Sequence, residues 1–292
     1  MTWRIVVISK RSKLYLKMGY LMVRDFENKV NGIFLQDISH LIIATTEASI
    51  TVSLMNELQK NKIKLIICDE KGNPAAEMVP YYNSYNTNEK IKAQILWKNN
   101  TKADIWQYIV KEKIRNQMLL LHAKNLEKAS LLAEYIKEVQ PLDSTNREAH
   151  AAKVYFNALF GMDFSRNDNS NANACLNYGY SIILSAVNRS IVAMGYLTQL
   201  GIFHDNMFNQ FNLSCDLMEP WRILVDKEVC DMNYHVFDKK QKIQLINLLN
   251  KKVLIDGKTQ YVNQAINIYC QSIIDALNEN DVSLIRFPEY EL

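Results

Sequence analysis

The chain has 292 residues, of which 48% are hydrophobic and 22% charged, with only 8 Gly and 5 Pro. That composition excludes a disordered or low-complexity polymer and allows one large globular domain or two smaller ones. Basic and acidic residues nearly cancel, leaving a formal net charge of +3, so the total charge neither demands nor excludes a nucleic-acid partner.

The five cysteines, Cys68, Cys175, Cys215, Cys230 and Cys270, are widely spaced and form no CxxC pair. A zinc knuckle or redox motif is therefore not expected, and the cysteines read as small core residues of a reduced compartment. The start of the chain lacks a signal-peptide pattern. Its most apolar long stretch, Ser181 to Tyr196, is broken by Asn188 and Arg189. The expectation is a cytoplasmic protein with no membrane partner.

In chain order, Arg4 to Ser9, Leu14 to Met18, Tyr20 to Arg24 and Ser39 to Thr45 are short, rich in β-branched and aromatic residues, and separated by polar turns. Ser49 to Gln59 carries Val52, Leu54, Met55 and Leu58 at helical spacing, and Ile63 to Cys68 reads as a buried strand. These predict a small mixed sheet with one helix over residues 1–77. Residues 78–88 hold Pro80, Tyr81, Tyr82 and Tyr85 among Asn and Ser, a linker composition. Beyond it, residues 89–292 read as helical, with helices expected over Ala103 to Asn125, Thr145 to Phe160, Asn171 to Tyr196, Lys239 to Asn250 and Lys258 to Glu279. The expected fold class is α+β, a small β-rich N-terminal domain followed by a larger all-helical one.

Three stretches of the helical part place polar residues in apolar surroundings: Asn146 to Ala152, Leu200 to His204 and Asn212 to Arg222. Asp216 and Glu219 stand three residues apart, so on a helix they share a face. With Glu148 and His204 they offer a mixed oxygen and nitrogen donor set suited to Mg²⁺ or Mn²⁺, the ions that serve phosphodiester chemistry. Each residue also has a local reading. Thr145 and Glu148 fit a capping box, as do Asp216 and Glu219, and a His after a helix end (here taken to be terminated by Gly201) fits a dipole partner.

In order and spacing, Arg147 to Phe156, Asn173 to Ser181, Gly201 to His204 and Asp216 to Arg222 resemble CRISPR-associated protein one. The block from Asp216 to Pro220 is most similar to the type II-A branch. The resemblance implies an integrase and endonuclease of CRISPR adaptation, in which the 3′-hydroxyl of a captured DNA fragment attacks a phosphodiester at the CRISPR repeat by transesterification. It implies Glu148, His204 and Glu219 as catalytic metal ligands for Mg²⁺ or Mn²⁺, with Asp216 orienting His204 from behind. Implied partners are double-stranded DNA, a second copy of the chain paired through the N-terminal sheets, and a small second adaptation subunit bridging two dimers. The type II-A effector nuclease and an accessory ring protein extend that set. Candidate DNA contacts are Tyr178, Arg147, Arg166, Arg189 and Arg222 near the metal motifs, and Lys90 and Lys92, with Lys98 and Lys102, after the tyrosine segment. Tyr178 reads equally as a half-buried helix tyrosine, Arg222 as a partner of Glu219, and the lysines as a solvated helix face. Two other functions fit the same residues: a repair nuclease acting on branched DNA, and a DNA-binding scaffold whose acidic residues only cap helices.

Overall fold

The computed structural model describes residues 4–70, 74–80 and 86–292, and the chain divides into two compact units, Met1–Asn83 and Ser84–Leu292. The tyrosines at 81, 82 and 85 lie outside the described residues.

The first unit runs β1 (Arg4–Ile8), β2 (Ser12–Lys17), β3 (Tyr20–Asp25), β4 (Val30–Phe34), β5 (Ile38–Ile43), β6 (Ser49–Ile50), α1 (Val52–Lys60), β7 (Lys64–Cys68) and β8 (Pro74–Glu77). These form two four-stranded sheets, β1-β5-β7-β8 and β4-β3-β2-β6, where a single small sheet was expected. In the first sheet β5 runs parallel to β1 and to β7. Every residue of β5 is buried, as a central parallel strand requires. In the second, β3 pairs antiparallel with both β2 and β4. The core of the unit gathers Leu14 and Leu21 from the second sheet, Leu41 and Leu65 from the first, and Leu54 and Leu58 from α1. Helix α1 starts at Thr51, whose side chain accepts the Leu54 N–H.

The second unit is built from α2 (Thr87–Ile95), α3 (Asn99–Ala123), α4 (Ala129–Glu138), α5 (Arg147–Phe160), α6 (Asn171–Ala193), α7 (Asn212–Met218), α8 (Arg222–Asp231), α9 (Lys239–Ile246), β9 (Lys252–Ile255), β10 (Lys258–Tyr261) and α10 (Val262–Glu279). Helix α6 is buried on most of its circumference, from Cys175 and Leu176 through Ile183, Val187 and Ile191, which marks it as a central helix rather than a surface one. Helix α3 presents Ile105, Trp106, Ile109, Val110, Ile114 and Leu121 to the core. The unit is not all-helical, since β9 and β10 pair within it, and several boundaries depart from the periodicity, among them the start of α3 at Asn99 and the end of α9 at Ile246. Residues 258–261 form β10, paired antiparallel with β9 across Asp256-Gly257, instead of opening the last helix. Helix α6 ends at Ala193, with Gly195 at φ 88° as the left-handed residue after it, so Gly201 terminates no helix.

The C-terminal segment docks on its own unit. Leu254 and Glu289 exchange backbone hydrogen bonds of 3.2 and 2.8 Å, and the Tyr290 hydroxyl donates to the Pro220 carbonyl at 2.8 Å. Cys68, Cys175 and Cys270 are buried thiols. Among the described residues no helix is long and apolar enough to cross a membrane.

Candidate active site

Glu148 lies in the first turn of α5, reached through a tight bend in which Leu142, Asp143 and Asn146 all take positive φ. The buried Asp143 carboxylate accepts the N–H groups of Arg147 at 2.8 Å and Glu148 at 2.9 Å. Asp143 therefore caps this helix, and the Thr145 capping box does not form: the Thr145 hydroxyl donates to the Glu138 carbonyl. Freed from capping, the Glu148 carboxylate meets the Lys113 ammonium of α3 at 2.5 Å.

Glu219 opens the 3-10 turn Glu219–Trp221 between α7 and α8 and is only 3% exposed. Its Oε2 also lies 2.5 Å from Lys113 Nζ. On its other side Arg222 forks onto it, Nε to Oε2 at 2.8 Å and an NH2 to Oε1 at 2.9 Å. Burial alone would raise the Glu219 carboxyl, but the Arg222 and Lys113 charges outweigh it and bring it down to about 2. Burial likewise opposes the charge on Lys113, yet Glu219 and Glu148 together hold its pKa above the ordinary lysine value. Two carboxylates separated by 71 positions thus share one cation.

His204 sits in the loop between α6 and α7, and that loop is held at several points. Gln94 of α2, 1% exposed, donates to the Leu197 and Leu200 carbonyls at 2.8 and 3.1 Å and accepts the Leu197 N–H at 2.9 Å. Asn212 donates to the Gln199 and Asn206 carbonyls. Asp216 lies fully buried within α7, so it caps no helix. Its Oδ2 takes the N–H groups of Ile202 and Phe203, and its Oδ1 takes both the His204 N–H at 3.0 Å and the ring Nδ1 at 2.6 Å. Gly201 makes this approach possible: a Cβ there would stand 2.3 Å from the His204 carbonyl oxygen and 2.8 Å from Asp216 Oδ2. Trp106 of α3 stacks on Phe203 at 4.5 Å and meets the His204 ring edge-on. The hydrogen bond to Asp216 raises the His204 pKa against the effect of burial, and the charges of Asp216, Glu219 and Glu148 add to the rise.

With Nδ1 tied to Asp216, the lone pair for a metal falls on Nε2. The Lys113 ammonium marks a position already shared by two hard oxygen donors. These residues fit a divalent ion in donor type, although among the described residues no three His, Cys, Asp or Glu side chains form a ready-made metal cage. What stands between the two glutamates is Lys113.

The remaining candidates are mostly committed elsewhere. Tyr178 is 3% exposed, its ring edge-on to Phe237, so it does not present itself to a nucleic acid. Arg222 is spent on Glu219 and stacks on Tyr180 at 4.6 Å. Arg166 binds Asn173 and Asn177, and Arg147 pairs with Glu138 at 3.0 Å. Arg189 is partly buried on α6, and Lys90 partly buried and Lys92 exposed on α2.

Behind the site lies a cluster that the motifs did not signal. The buried Asp226 of α8 accepts the hydroxyls of Tyr155, at 3.0 Å, and Tyr180. Burial raises its carboxyl to about 6 even though both hydroxyls favour the charged form. A folded-state pKa above the unfolded one, 3.8, means a contribution fully present below pH 3.8 and lost as pH rises through 6. The loss corresponds to about 3 kcal/mol. Urea unfolding at pH 4 to 7 should show Asp226→Asn gaining stability relative to the parent across that window. Parallel pH profiles for the two proteins would refute it.

A family model described as "CRISPR associated protein Cas1" matches residues 5–253. The CRISPR-associated endonuclease Cas1 of Neisseria meningitidis serogroup C is 32% identical, over 99% of this chain and 97% of that protein. The chain is a member of the Cas1 family. Its fold agrees with that family's solved structures. A casposase bound to integration product superposes with a TM-score of 0.79 at 19% identity, covering 97% of this chain and 92% of that one. A Cas6-RT-Cas1–Cas2 complex gives 0.78 at 19% identity, with all of this chain matching 36% of that one. Mixed α+β architecture, N-terminal strands and a helical C-terminal part are common to this Cas1-family chain and those neighbours.

Proposed function

We propose that this chain is a DNA endonuclease and integrase of CRISPR adaptation that depends on Mg²⁺ or Mn²⁺ held by Glu148, His204 and Glu219. The observation that carries this reading is the meeting of Glu148, from the first turn of α5, and Glu219, from the turn before α8, on one cation position, with His204 held by Asp216 and within reach of both their charges. Family membership supports it, as do a relative named as an endonuclease and a structural neighbour bound to integration product.

In the proposed reaction the 3′-oxygen of the captured DNA forms a bond to the repeat phosphorus. The bond from that phosphorus to the repeat strand's own 3′-oxygen breaks, and the departing oxygen takes up a proton. A bound divalent ion would supply charge stabilisation at the phosphate. The protein's part is positional. Asp216 and Gly201 fix the imidazole, Asp143 fixes the start of α5, and Tyr290 ties down the turn that bears Glu219. Arg222 keeps Glu219 ionised and oriented. Exposed Lys92 and Lys98 supply phosphate contacts farther out.

The same reading makes the N-terminal unit a pairing surface for a second copy. Support comes from the edge strand β4 and the exposed apolar side chains Val30 and Phe34 on it, with Tyr20 packed against Phe34 at 5.3 Å. A small adaptation subunit is the proposed bridge between two such dimers, in keeping with the neighbour described as a Cas1–Cas2 complex.

The test joins a short duplex with free 3′ ends to a supercoiled repeat plasmid, in Mg²⁺ or Mn²⁺ with the bridging subunit present. Joining should vanish with chelator and fall at least ~10²-fold in Glu148→Gln and in His204→Ala, the scale expected when a metal-oriented step is lost. Branched-DNA cleavage without joining would instead point to a repair nuclease. Metal-independent binding with no chemistry would leave only a scaffold.

A further inference from the structure

Lys113 is the feature of the site that the metal reading does not absorb. Its side chain is 11% exposed and lies 2.5 Å from both Glu148 and Glu219. Buried lysines are rare unless paired, and this one has two anionic partners at once. With Arg222, the cluster holds two positive and two negative charges and is already neutral. A divalent ion entering between the carboxylates would leave an excess of two positive charges in a largely water-excluded space unless one cation withdrew.

The two cations are not equally able to leave. Arg222 is locked by two parallel hydrogen bonds to Glu219 and by stacking on Tyr180. Lys113 ends in a compact ammonium on a flexible four-carbon stem, anchored on the long helix α3, so its charge can move while the backbone stays in place. We propose that Lys113 is an exchangeable counter-ion that holds Glu148 and Glu219 together in the metal-free protein and is displaced from at least one of them when a divalent ion binds. The inference rests on the metal reading above. It adds that the protein carries its own competitor for the ion.

Removing the competitor should tighten the site. Mn²⁺ binding is followed by electron paramagnetic resonance of the free ion, without DNA, for the full chain and for Lys113→Met, Lys113→Gln and Glu148→Gln. The two lysine variants should bind Mn²⁺ about ten-fold or more tightly than the parent, as expected when a buried cation no longer competes, whereas Glu148→Gln should bind more weakly. The two lysine variants guard against one of them failing to fold, which far-ultraviolet circular dichroism checks. Affinity equal to or below the parent's in a folded lysine variant overturns the exchange while leaving the metal site standing. A parent that binds no Mn²⁺ sensitive to Glu148→Gln overturns both.

Discussion

Glu219→Ala should cost more than any other single change in the site, abolishing DNA joining and destabilising the protein by about 3–5 kcal/mol, the range for stripping one partner from a buried ion pair. Glu219 is 3% exposed and is the carboxylate on which Lys113 and Arg222 converge. Without it, Arg222 loses both of its hydrogen-bonded oxygens and is left with the Tyr180 face and the charge of Asp226, while Lys113 retains Glu148. The expected measurements are a joining rate down by at least ~10³-fold and a urea midpoint shifted downward at pH 7. A variant as stable as the parent would mean that the cations find other partners and that the cluster is looser than its distances indicate.

Asp216→Ala is the second. This fully buried carboxylate accepts three backbone N–H groups and the His204 ring nitrogen. Alanine leaves the buried Ile202 N–H without its acceptor, at about 1–3 kcal/mol for a buried unmet group, and the loop that carries His204 loses its anchor. Joining should fall by ~10–100-fold, as when the group behind a metal-bound histidine is removed. Asp216→Asn should lie between the two, because an amide keeps one acceptor oxygen but turns an N–H toward donors. Measuring Mn²⁺ affinity with the rate separates misplacement of His204 from general loosening, since misplacement weakens the ion even in a variant that melts normally.

Much of this molecule was readable from spacing. Strands β1, β2 and β3 and helices α3 and α5 follow alternation or 3.6-residue periodicity, whereas β5, β7 and α6 stand out as apolar runs buried on more than one face. What escaped had weaker chemistry or a competing pattern. Strand β4 is exposed everywhere but Ile33 and has a central Gly32, and β8 reads Pro-Ala-Ala-Glu, so neither carries a strand-like apolar signature. The β9–β10 hairpin has its signal in Asp256-Gly257, yet Lys258 to Tyr261 runs without a break in pattern into the helix that follows.

Motif order picked out Glu148 and Glu219, which meet at Lys113, and His204 and Asp216, which pair with each other, and the capping readings failed for a local reason. Asp143 lies two residues nearer the start of the chain than Thr145 and reaches both first-turn amides through a left-handed bend that no propensity scale anticipates. Lys113 was missed although it continues the buried stripe of Trp106, Ile109 and Val110. A lysine on such a stripe is itself a signal that a carboxylate waits opposite.

The hydrogen bond from Tyr290 to the Pro220 carbonyl has a bearing on biosynthesis. Seventy positions separate the two partners, and helix α10 lies between them in the chain. The turn presenting Glu219 can therefore receive this brace only after the seventy positions that follow Pro220 have been synthesised. Until then a partly made chain lacks one of the bonds that hold the Glu219 turn, although Lys113 and Arg222 are already present to pair with its carboxylate.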